Sequence, residues 1–332
     1  MRPDLLEVLR EPGTFSELRL EPTKTDKGEV LEGELVSIET GKRYPIRDGI
    51  VRFVGNDAYA DSFGLQWNEF SKVQVDSHNG ANYSRDRFDS ETTWTEADLH
   101  DKWVLDAGCG AGRFSEIAAS KGARLISLDY SRAVDAARAN MIDRYPNVQY
   151  IQGDILNLPF APGSLDFVFS IGVLQHTPDP ERCVVELVKR VKPGGKFCFT
   201  IYGRRWYSKL FSKYLIRPVT KRMPKRALLR SIQGTMPVLF PLTDFLFRLP
   251  MGLGKVFAFA IPVANYVGKN DFTREQRYQE AVLDTFDMLS PTYDQPMSPE
   301  ELKSTLAGCG LSTSDYRFPT TSICNVTGQV RR

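Results

Sequence analysis

The sequence VLDAGCGAGRF occupies positions 104–114 and decides the fold of this 332-residue chain. The apolar residues around its start predict a buried strand over 103–107, and its glycines predict a tight turn into a helix from about residue 112. Backbone amides at the start of such a helix point toward a bound ligand. We therefore expect a ligand site where this strand ends.

The glycine turn departs from the dinucleotide-binding pattern G-x-G-x-x-G. Counted from Gly108, the third glycine would fall at position 113, where Arg113 stands. Asp106 lies inside the turn and would repel a diphosphate. These residues therefore favour a ligand that carries an amine or a sulfonium.

On both sides of the turn, short apolar runs alternate with helical patterns. The predicted strands are 103–107, 124–129, 148–152, 165–171 and 196–202, and the predicted helices are about 112–120, 133–143 and 180–191. Strict alternation is typical of βαβ units, so the sequence predicts an α/β fold whose parallel sheet is covered on both faces.

Acidic residues follow three successive strands. Asp106 ends the first strand, Asp129 ends the second, and Asp154 follows the third. Each could cap a helix, since aspartate is a favoured N-cap residue. Three such residues along the carboxyl edge of a parallel sheet, where ligands bind, favour a shared binding site instead.

With these motifs the segment resembles a class I S-adenosylmethionine-dependent methyltransferase. The matching pieces are the glycine turn, Asp129, GDI at 153–155, LDFVFSIGVLQHTPDP at 165–180 and VKPGG at 191–195. The resemblance implies a Rossmann-like, seven-stranded sheet and S-adenosylmethionine as cofactor. It does not identify the methyl acceptor.

The resemblance also implies roles for individual residues. Gly108 and Gly110 would line the methionine part of the cofactor, Asp106 its ammonium group, Asp129 the ribose hydroxyls, and Asp154 with Ile155 the adenine, while 170–172 would border the methyl group. The full implied set of cofactor contacts is Asp106, Gly108, Cys109, Gly110, Arg113, Asp129, Tyr130, Asp154, Ile155 and Ile171.

A general base is useful if the acceptor is a hydroxyl or a carbon acid. His176 is the leading candidate, because it follows the strand that borders the methyl group. Gln175 and Asp179 are weaker candidates. The alternative for His176 is a structural histidine that is hydrogen-bonded within its loop.

The N-terminal segment predicts a small β meander with strands at 34–38, 43–46 and 50–54. It resembles the zinc-ribbon module found ahead of such methyltransferases, but its four ligand positions hold Glu11, Thr14, Ser37 and Thr40. One carboxylate and three hydroxyls do not hold zinc against water. We therefore predict a degenerate module without metal.

The alternation stops after residue 202 and resumes at 298, where a capping box begins a helix that ends near 308–310. Two strands, 311–318 and 322–330, would complete the sheet. Segments 59–68 and 284–294 resemble family sequence that closes over the site, although interdomain packing explains them as well. The predicted units are a β module at 1–56, a cofactor-covering helical lead-in at 57–100, the methyltransferase domain at 101–202 and 298–332, and an inserted cap at 203–297.

The charges of the chain are unevenly distributed. The whole chain has 43 Lys and Arg against 41 Asp and Glu, yet residues 187–270 contain 17 basic residues and a single acid, Asp244. Residues 203–230 read as a basic amphipathic helix. It could be a lid with solvated cations, a helix on an anionic membrane surface, or a nucleic-acid contact, which we expect least because no RNA-binding module accompanies it.

The composition also excludes several classes. The five cysteines form no Cys-x-x-Cys pair, and the charged N-terminus does not resemble a signal peptide. The longest uncharged stretches, at 231–243 and 256–268, are too short to span a bilayer, which needs about 20 residues. We expect a cytoplasmic protein, or one that is peripheral on the inner membrane face.

We therefore predict methyl transfer from S-adenosylmethionine to a small-molecule or lipid- or glycan-linked acceptor held under the cap. Two alternatives remain. One is an RNA methyltransferase that uses the basic insertion, and the other is a non-catalytic, membrane-attached binding module.

Overall fold

The computed structural model describes residues 1–54, 61–204, 206–269, 271–319 and 324–331. These residues form one eleven-stranded sheet, in the order β1-β2-β3-β4-β7-β6-β5-β8-β9-β11-β10. The strands are β1 Leu18–Asp26, β2 Glu29–Ser37, β3 Arg43–Arg47, β4 Ile50–Arg52, β5 Trp103–Ala107, β6 Arg124–Asp129, β7 Gln149–Gln152, β8 Leu165–Ile171, β9 Val191–Ile201, β10 Tyr316–Arg317 and β11 Cys324–Gln329.

Twelve helices are described around the sheet and in the cap. They are α1 Asp61–Glu69, α2 Asp76–Asn79, α3 Tyr83–Thr92, α4 Glu96–Leu99, α5 Ser115–Ser120, α6 Ala133–Met141, α7 Pro180–Arg190, α8 Ser212–Thr220, α9 Lys225–Leu246, α10 Leu253–Ala260, α11 Arg274–Leu289 and α12 Pro299–Gly308. Helix α5 begins three residues later than expected, because Gly112 has a φ of +91°, which is not helical.

The central five strands, β7-β6-β5-β8-β9, run parallel, and β11 joins them antiparallel to β9. In β5, Leu105 packs into the core on one face of the sheet and Val104 into the core on the other. Because both faces are buried, most side chains of the central strands are buried, including polar ones such as Ser127 in β6 and Ser170 in β8. The predicted α/β fold with a parallel central sheet is confirmed, but the sheet has eleven strands rather than seven, because β1 to β4 extend it beyond β7.

The N-terminal segment continues this sheet rather than forming a sheet of its own. Strand β4 pairs in parallel with β7, with Ile50 opposite Tyr150 and Val51 opposite Ile151. The meander is present as predicted, with one further strand, β1, that its mostly polar sequence concealed. A domain boundary at residue 56 remains a prediction.

The four zinc-ligand positions of the N-terminal module lie together around one carboxylate. The Glu11 carboxylate accepts hydrogen bonds from the hydroxyls of Thr14 at 2.6 Å, Ser37 at 2.8 Å and Thr40 at 2.8 Å, and from Tyr44 at 3.0 Å. A charged acceptor therefore joins side chains that a metal would join in a zinc ribbon. Among the described residues, no group of three or more His, Cys, Asp or Glu side chains could hold a metal ion.

The cap contains α8 to α11 and has its own apolar core, formed largely by α9 and α11. The predicted basic amphipathic helix within 203–230 is wrong in its start and is divided between α8 and the first turns of α9. Residues Ser208–Leu210 form a short 3-10 turn before α8, and Trp206 and Leu215 are exposed. Arg205 and the side chain of Lys209 lie outside the described residues.

The reason is that α8 binds the C-terminal end of α11. The guanidinium of Arg217 is buried and donates to the carbonyl oxygens of Met288 and Pro291, each at 2.9 Å. Lys225 donates to the carbonyl of Ser290 at 2.6 Å. The last carbonyls of a helix lack partners within the helix and carry partial negative charge, so Arg217 from α8 and Lys225 from the start of α9 stabilise them.

The remaining elements agree with the sequence to varying extents. Helix α12 begins at the predicted capping box of Ser298 and Glu301. Strand β10 is only two residues long, and the predicted start of the last strand at 322 lies outside the described residues. The first two residues of the 59–68 segment, Tyr59 and Ala60, are also outside them, and the rest of that segment lies in α1. No described helix is long and apolar enough to cross a membrane.

Candidate active site

A cavity of about 590 Å³ lies between the carboxyl edge of the sheet and the cap. Its floor contains the glycine turn and the ends of β6 and β8, and its roof is formed by α1, α8 and α11. The volume is in the range of small-molecule sites, which is about 300–1,000 Å³. The sequence-predicted residues that line it are Gly108, Cys109, Gly110, Arg113, Asp129, Tyr130, Ile155, Ile171 and His176.

The glycine turn forms a cradle that side chains would close. Gly108 has a φ of +90°, and a Cβ atom there would lie 2.4 Å from Val173 Cγ1. Opposite the turn, a Cβ on Gly110 would lie 3.1 Å from the indole of Trp67. The cavity therefore keeps its shape through the absence of side chains at these two positions.

Asp129 lies at the end of β6 and is tied to the glycine turn. Its carboxylate accepts hydrogen bonds from the Gly110 amide at 3.0 Å and from the Ser131 amide at 2.8 Å. These donors fix the carboxylate at the cavity wall beside Tyr130. A contact with ribose hydroxyls remains a prediction.

Asp106 is placed differently from the prediction, because its side chain does not line the cavity. It is 2% exposed within the sheet, and its carboxylate accepts a hydrogen bond from the Ser115 hydroxyl at 2.7 Å. Burial raises the pKa of the Asp106 carboxyl to about 7. This residue links β5 to the first turn of α5, and its predicted contact with an ammonium group is not supported.

Asp154 also does not line the cavity, although its neighbour Ile155 does. Its carboxylate accepts a hydrogen bond from the Leu156 amide at 2.9 Å and so caps the short turn Ile155–Asn157. Burial raises the pKa of Asp154 above its usual value. Its position corresponds to the capping interpretation rather than to an adenine contact.

Of the three base candidates, His176 is the one that lines the cavity. Its Nδ1 lies 3.1 Å from the carbonyl oxygen of Tyr293, whereas its Nε2 is buried and has no hydrogen-bond partner within the described part of the chain. Gln175 is buried and donates to the Gly172 carbonyl, and Asp179 caps α7. His176 therefore lines the cavity, and one of its ring nitrogens has no hydrogen-bond partner within the described residues.

The aromatic environment of His176 comes from three separate segments. The ring of Phe63 in α1 lies 5.2 Å from the imidazole, centroid to centroid, and the ring of Tyr202 after β9 lies 5.5 Å from it. Both aromatic residues line the cavity. Apolar walls around an imidazole exclude water from the nitrogen that a substrate would contact.

The roof contributes acidic residues that the sequence did not single out. Asp284 and Asp287 line the cavity one turn apart on α11. Gln74 donates to Asp284 at 2.9 Å, and Gln66 donates to Asp287 at 3.4 Å. The resemblance of 284–294 to family sequence was the one signal that could have identified them.

Asp284 has an altered ionisation equilibrium. Burial, followed by the nearby carboxylates of Glu280 and Asp287, raises the pKa of Asp284 to about 7. Gln74 also accepts a hydrogen bond from Arg113 at 2.9 Å, so Asp284 is connected to the glycine turn through two side chains. A cation bound near Asp284 would favour its charged form.

The residues present fit S-adenosylmethionine. The glycine cradle leaves space next to backbone amides, Asp129 lies at the end of the neighbouring strand, and aromatic rings cover the turn. Asp129, Asp284 and Asp287 provide carboxylates for a cofactor with a sulfonium and an ammonium group. The carboxylates that line the cavity are thus complementary to a cationic cofactor.

Comparisons with known proteins agree with this geometry. Residues 105–199 match a family model described as "Methyltransferase domain". The ubiquinone biosynthesis O-methyltransferase of Coxiella burnetii is 32% identical over 128 residues, which are 38% of this chain and 55% of that protein. The corresponding protein of Vibrio atlanticus is 33% identical over 129 residues, which are 38% of this chain and 54% of that protein.

Among solved structures, an S-adenosylmethionine-dependent methyltransferase from Mesorhizobium loti is 28% identical, with a TM-score of 0.29, and covers 32% of this chain and 49% of its own. The chain spans about half the length of the curated relatives that it matches. The matched segment contains the glycine turn and strands β5 to β9. Residues 105–199 thus match a methyltransferase domain.

Proposed function

We propose that this protein transfers a methyl group from S-adenosylmethionine to a hydroxyl group of a small-molecule acceptor, with His176 as the general base. The observation that carries the proposal is that His176 lines the cavity while its buried Nε2 has no hydrogen-bond partner within the described residues. Buried polar atoms are nearly always hydrogen-bonded, so an unpartnered one at a cavity is a site for a ligand. A hydroxyl of the acceptor would supply the missing donor.

The other polar groups near His176 support the same kind of acceptor. The Oε1 atom of Gln66 is buried and lacks a donor within the described residues, and the carboxylate of Asp287 lies beside it. These groups accept hydrogen bonds, whereas Phe63 and Tyr202 supply apolar walls. We infer an amphiphilic acceptor that has a hydroxyl group on an apolar or aromatic skeleton.

The bound cofactor supplies an electrophilic methyl group. The chain binds and orients the reactants, since Gly108 leaves space at the turn and Asp129 is fixed at the strand end. Orientation alone contributes several kcal/mol to such reactions, about 7–11 at most. His176 would remove the acceptor proton at Nε2 and hold it there, while the Tyr293 carbonyl keeps the ring oriented.

Lipid- or glycan-linked acceptors belong to the same proposal. The curated relatives are named as O-methyltransferases of ubiquinone biosynthesis. The cap supplies apolar side chains such as Met288 to the cavity wall, which supports an acceptor with an apolar part. We therefore extend the proposal to amphiphiles that reach the enzyme from the inner face of a membrane.

Two alternatives have less support. For an RNA methyltransferase, three basic residues of the insertion are not available to phosphates, because Arg217 and Lys225 donate to carbonyl oxygens at the end of α11 and Lys213 forms an ion pair with Asp294 at 2.7 Å. A non-catalytic binding module does not need an unpartnered imidazole beside its ligand cavity. Neither alternative accounts for His176.

Titration calorimetry with S-adenosylmethionine and S-adenosylhomocysteine tests the proposal. We expect both to bind the wild-type protein and to bind Asp129→Ala at least about tenfold more weakly, since a charge-assisted hydrogen bond is lost. Asp143→Ala, which removes an exposed aspartate, is the matched control. No binding to the wild type, or equal binding to both variants, would reject the cofactor site.

The acceptor is tested separately. Metabolites and lipids of a deletion strain are compared by mass spectrometry with those of the same strain expressing the wild type or His176→Gln. We expect one hydroxylated amphiphile to lack a single methyl group in the deletion strain and in the His176→Gln strain. A missing methyl on RNA instead would favour the RNA alternative.

A further inference from the structure

Exposed apolar side chains are concentrated in the cap. Of the large apolar residues that are exposed among the described residues, Ile38 lies in the N-terminal module and Tyr202 and Tyr266 line the cavity. The others form what we call the cap apolar face: Trp206, Leu210, Leu215, Val219, Val238, Leu242, Phe245, Met251, Leu253 and Val256. Concentrated exposure of this kind marks an interaction surface.

Helical spacing places these residues on the outer sides of their helices. Val238, Leu242 and Phe245 recur at i, i+4 and i+7 on α9, and Leu215 and Val219 recur at i and i+4 on α8. The inner side of α9 packs Ile232, Met236 and Phe240 into the cap core. Helix α9 is therefore apolar on both sides, which packing against its own chain does not require.

Aromatic contacts connect the parts of this face. Trp206 lies edge-on to Tyr207, with ring centroids 5.4 Å apart, and Tyr207 is 6.3 Å from Phe211. Phe211 contacts Phe259 of α10 at 4.3 Å, and α10 in turn packs against α9. The segment before α8 is thus joined to α10 and α9, so the exposed residues come from neighbouring elements.

The charges around this face are almost all positive. Asp244 is the one acid in 203–269, and it forms ion pairs with Arg277 and Arg248. Exposed cations on and beside the face have no acidic partner among the described residues. They are Lys221, Arg222, Arg226, Arg230 and Lys255, the last between Leu253 and Val256.

We propose that the cap apolar face docks on an anionic lipid bilayer. Aromatic and aliphatic side chains enter the interfacial region, while adjacent Lys and Arg contact anionic head groups. A protein partner would have to match both an apolar surface and unpaired cations, and an anionic bilayer matches both without a specific shape. The proposed attachment is peripheral, because it uses exposed side chains of the cap helices.

Docking would bring the active-site cavity close to the lipid. Helix α8 carries Lys213 on the cavity wall and Leu215 on its exposed side. An amphiphilic acceptor could then move between the bilayer and the cavity over a short distance. The docking itself does not depend on methyl transfer, because vesicle binding is measured without cofactor or acceptor.

Co-sedimentation of the full chain with vesicles tests the proposal. We expect binding to vesicles of equal parts phosphatidylcholine and phosphatidylglycerol, and much weaker binding to phosphatidylcholine alone. The double variant Arg226→Glu, Arg230→Glu should bind at least about 25-fold more weakly, because each cation contributes about fivefold, or about 1 kcal/mol. The double variant Val238→Ser, Phe245→Ser should bind the vesicles at least about tenfold more weakly, because it removes apolar side chains that would enter the bilayer.

Matched controls use exposed residues outside the cap. Ile38→Ser removes an exposed apolar side chain, and Lys24→Glu reverses an exposed cation, so neither should change vesicle binding. Circular dichroism and S-adenosylhomocysteine binding show whether each variant is folded. The proposal is overturned if the wild type ignores anionic vesicles, if the controls lose as much binding as the cap variants, or if RNA is bound in place of vesicles.

Tryptophan fluorescence gives an independent readout. Trp206 is 89% exposed, whereas Trp94 and Trp103 are buried. Insertion of Trp206 into the interface should shift the emission of the wild type to shorter wavelength when anionic vesicles are added. The shift should disappear in Trp206→Phe, and a shift that persists in this variant would contradict insertion at this position.

Discussion

The Nδ1 atom of His176 lies 3.1 Å from the backbone carbonyl oxygen of Tyr293. A carbonyl oxygen only accepts hydrogen bonds, so this nitrogen carries the proton and Nε2 keeps its lone pair. His176 lies after strand β8, and Tyr293 lies after α11 of the cap. The tautomer of His176 therefore depends on the packing of the cap against the sheet. The cap therefore helps to orient the imidazole.

Substitution of this histidine should impair turnover more than binding. We expect His176→Gln to lower kcat by about 100-fold or more, the usual effect of losing a general base, with little change in KM. Steady-state kinetics with the identified acceptor measures both parameters. The control variant His78→Gln, at an exposed histidine in α2, should have the kcat and KM of the wild type. If His176→Gln instead raises KM and leaves kcat unchanged, His176 is a positioning residue.

The glycine cradle predicts a steric effect on cofactor binding. Gly108→Ala would place a Cβ 2.4 Å from Val173 Cγ1, so the turn or Val173, which follows β8, would have to move. We expect loss of S-adenosylhomocysteine binding in titration calorimetry, with the fold retained. Gly194→Ala shares the positive φ, at +83°, but has nothing within 4 Å of its new Cβ, so it should bind normally. Equal loss in both variants would assign the effect to backbone strain alone.

Local patterns predicted the sheet well, because its strands are buried on both faces and end abruptly. Trp103–Ala107, Arg124–Asp129 and Leu165–Ile171 have their predicted bounds for this reason. The direction in which a carboxylate points at the end of a strand is harder to predict, because it depends on contacts with residues elsewhere in the fold. Asp106 turns to Ser115 and Asp154 turns to its own backbone, contacts that a spacing pattern does not distinguish from ligand contacts.

Local patterns did not predict which side chains of the cap are buried, because that burial depends on contacts between segments that are distant in the sequence. The spacing of 206–217 indicated a helix, but nothing local indicated that the end of α11 would need donors from Arg217. Asp284 and Asp287 face the cavity because α11 packs across the roof, 210 or more positions from the glutamines that they contact. The acidic residues that the sequence did not single out, Asp284 and Asp287, are supplied by this insertion.

The raised pKa of Asp284 predicts proton release on cofactor binding. With a pKa of about 7, this carboxyl is largely protonated at pH 6, and a bound cation would lower its pKa. We expect affinity for S-adenosylmethionine to rise as pH increases through 7, and Asp284→Asn to remove this dependence. Calorimetry in two buffers of different protonation enthalpy counts the released protons. Equal proton release by wild type and variant would reject the assignment.

Asp284 also affects stability without cofactor. Because its pKa is raised in the folded state, the folded protein binds more protons than the unfolded chain between pH about 4 and 7, and stability falls as pH rises through this range. Asp284→Asn should therefore have a higher Tm than wild type at pH 8 and a smaller advantage at pH 5. Asp143→Asn is the exposed control.

The hydroxyl cluster around Glu11 predicts the opposite pH dependence. Burial alone would raise its pKa, but hydrogen bonds from Thr14, Thr40, Ser37 and Tyr44 outweigh burial and hold the pKa at about 2. Its contribution to stability is thus complete above pH about 4.5 and is lost as pH falls toward 2. We expect Glu11→Gln to cost about 1.5–3 kcal/mol in urea unfolding at pH 7 and less at pH 3. Glu39→Gln, at an exposed neighbour, should cost little at either pH.

The same cluster predicts that a zinc site can be restored. Thr14, Ser37 and Thr40 all donate to one carboxylate, so the four side chains already converge on one point. Four thiolates in this arrangement suit tetrahedral zinc. The variant Glu11→Cys, Thr14→Cys, Ser37→Cys, Thr40→Cys should purify with one zinc per chain by elemental analysis and lose stability when a chelator is added. Wild type should contain no stoichiometric zinc, and the variant that keeps Thr14 should bind zinc more weakly. A four-cysteine variant that folds but binds no zinc would refute the resemblance to a zinc ribbon.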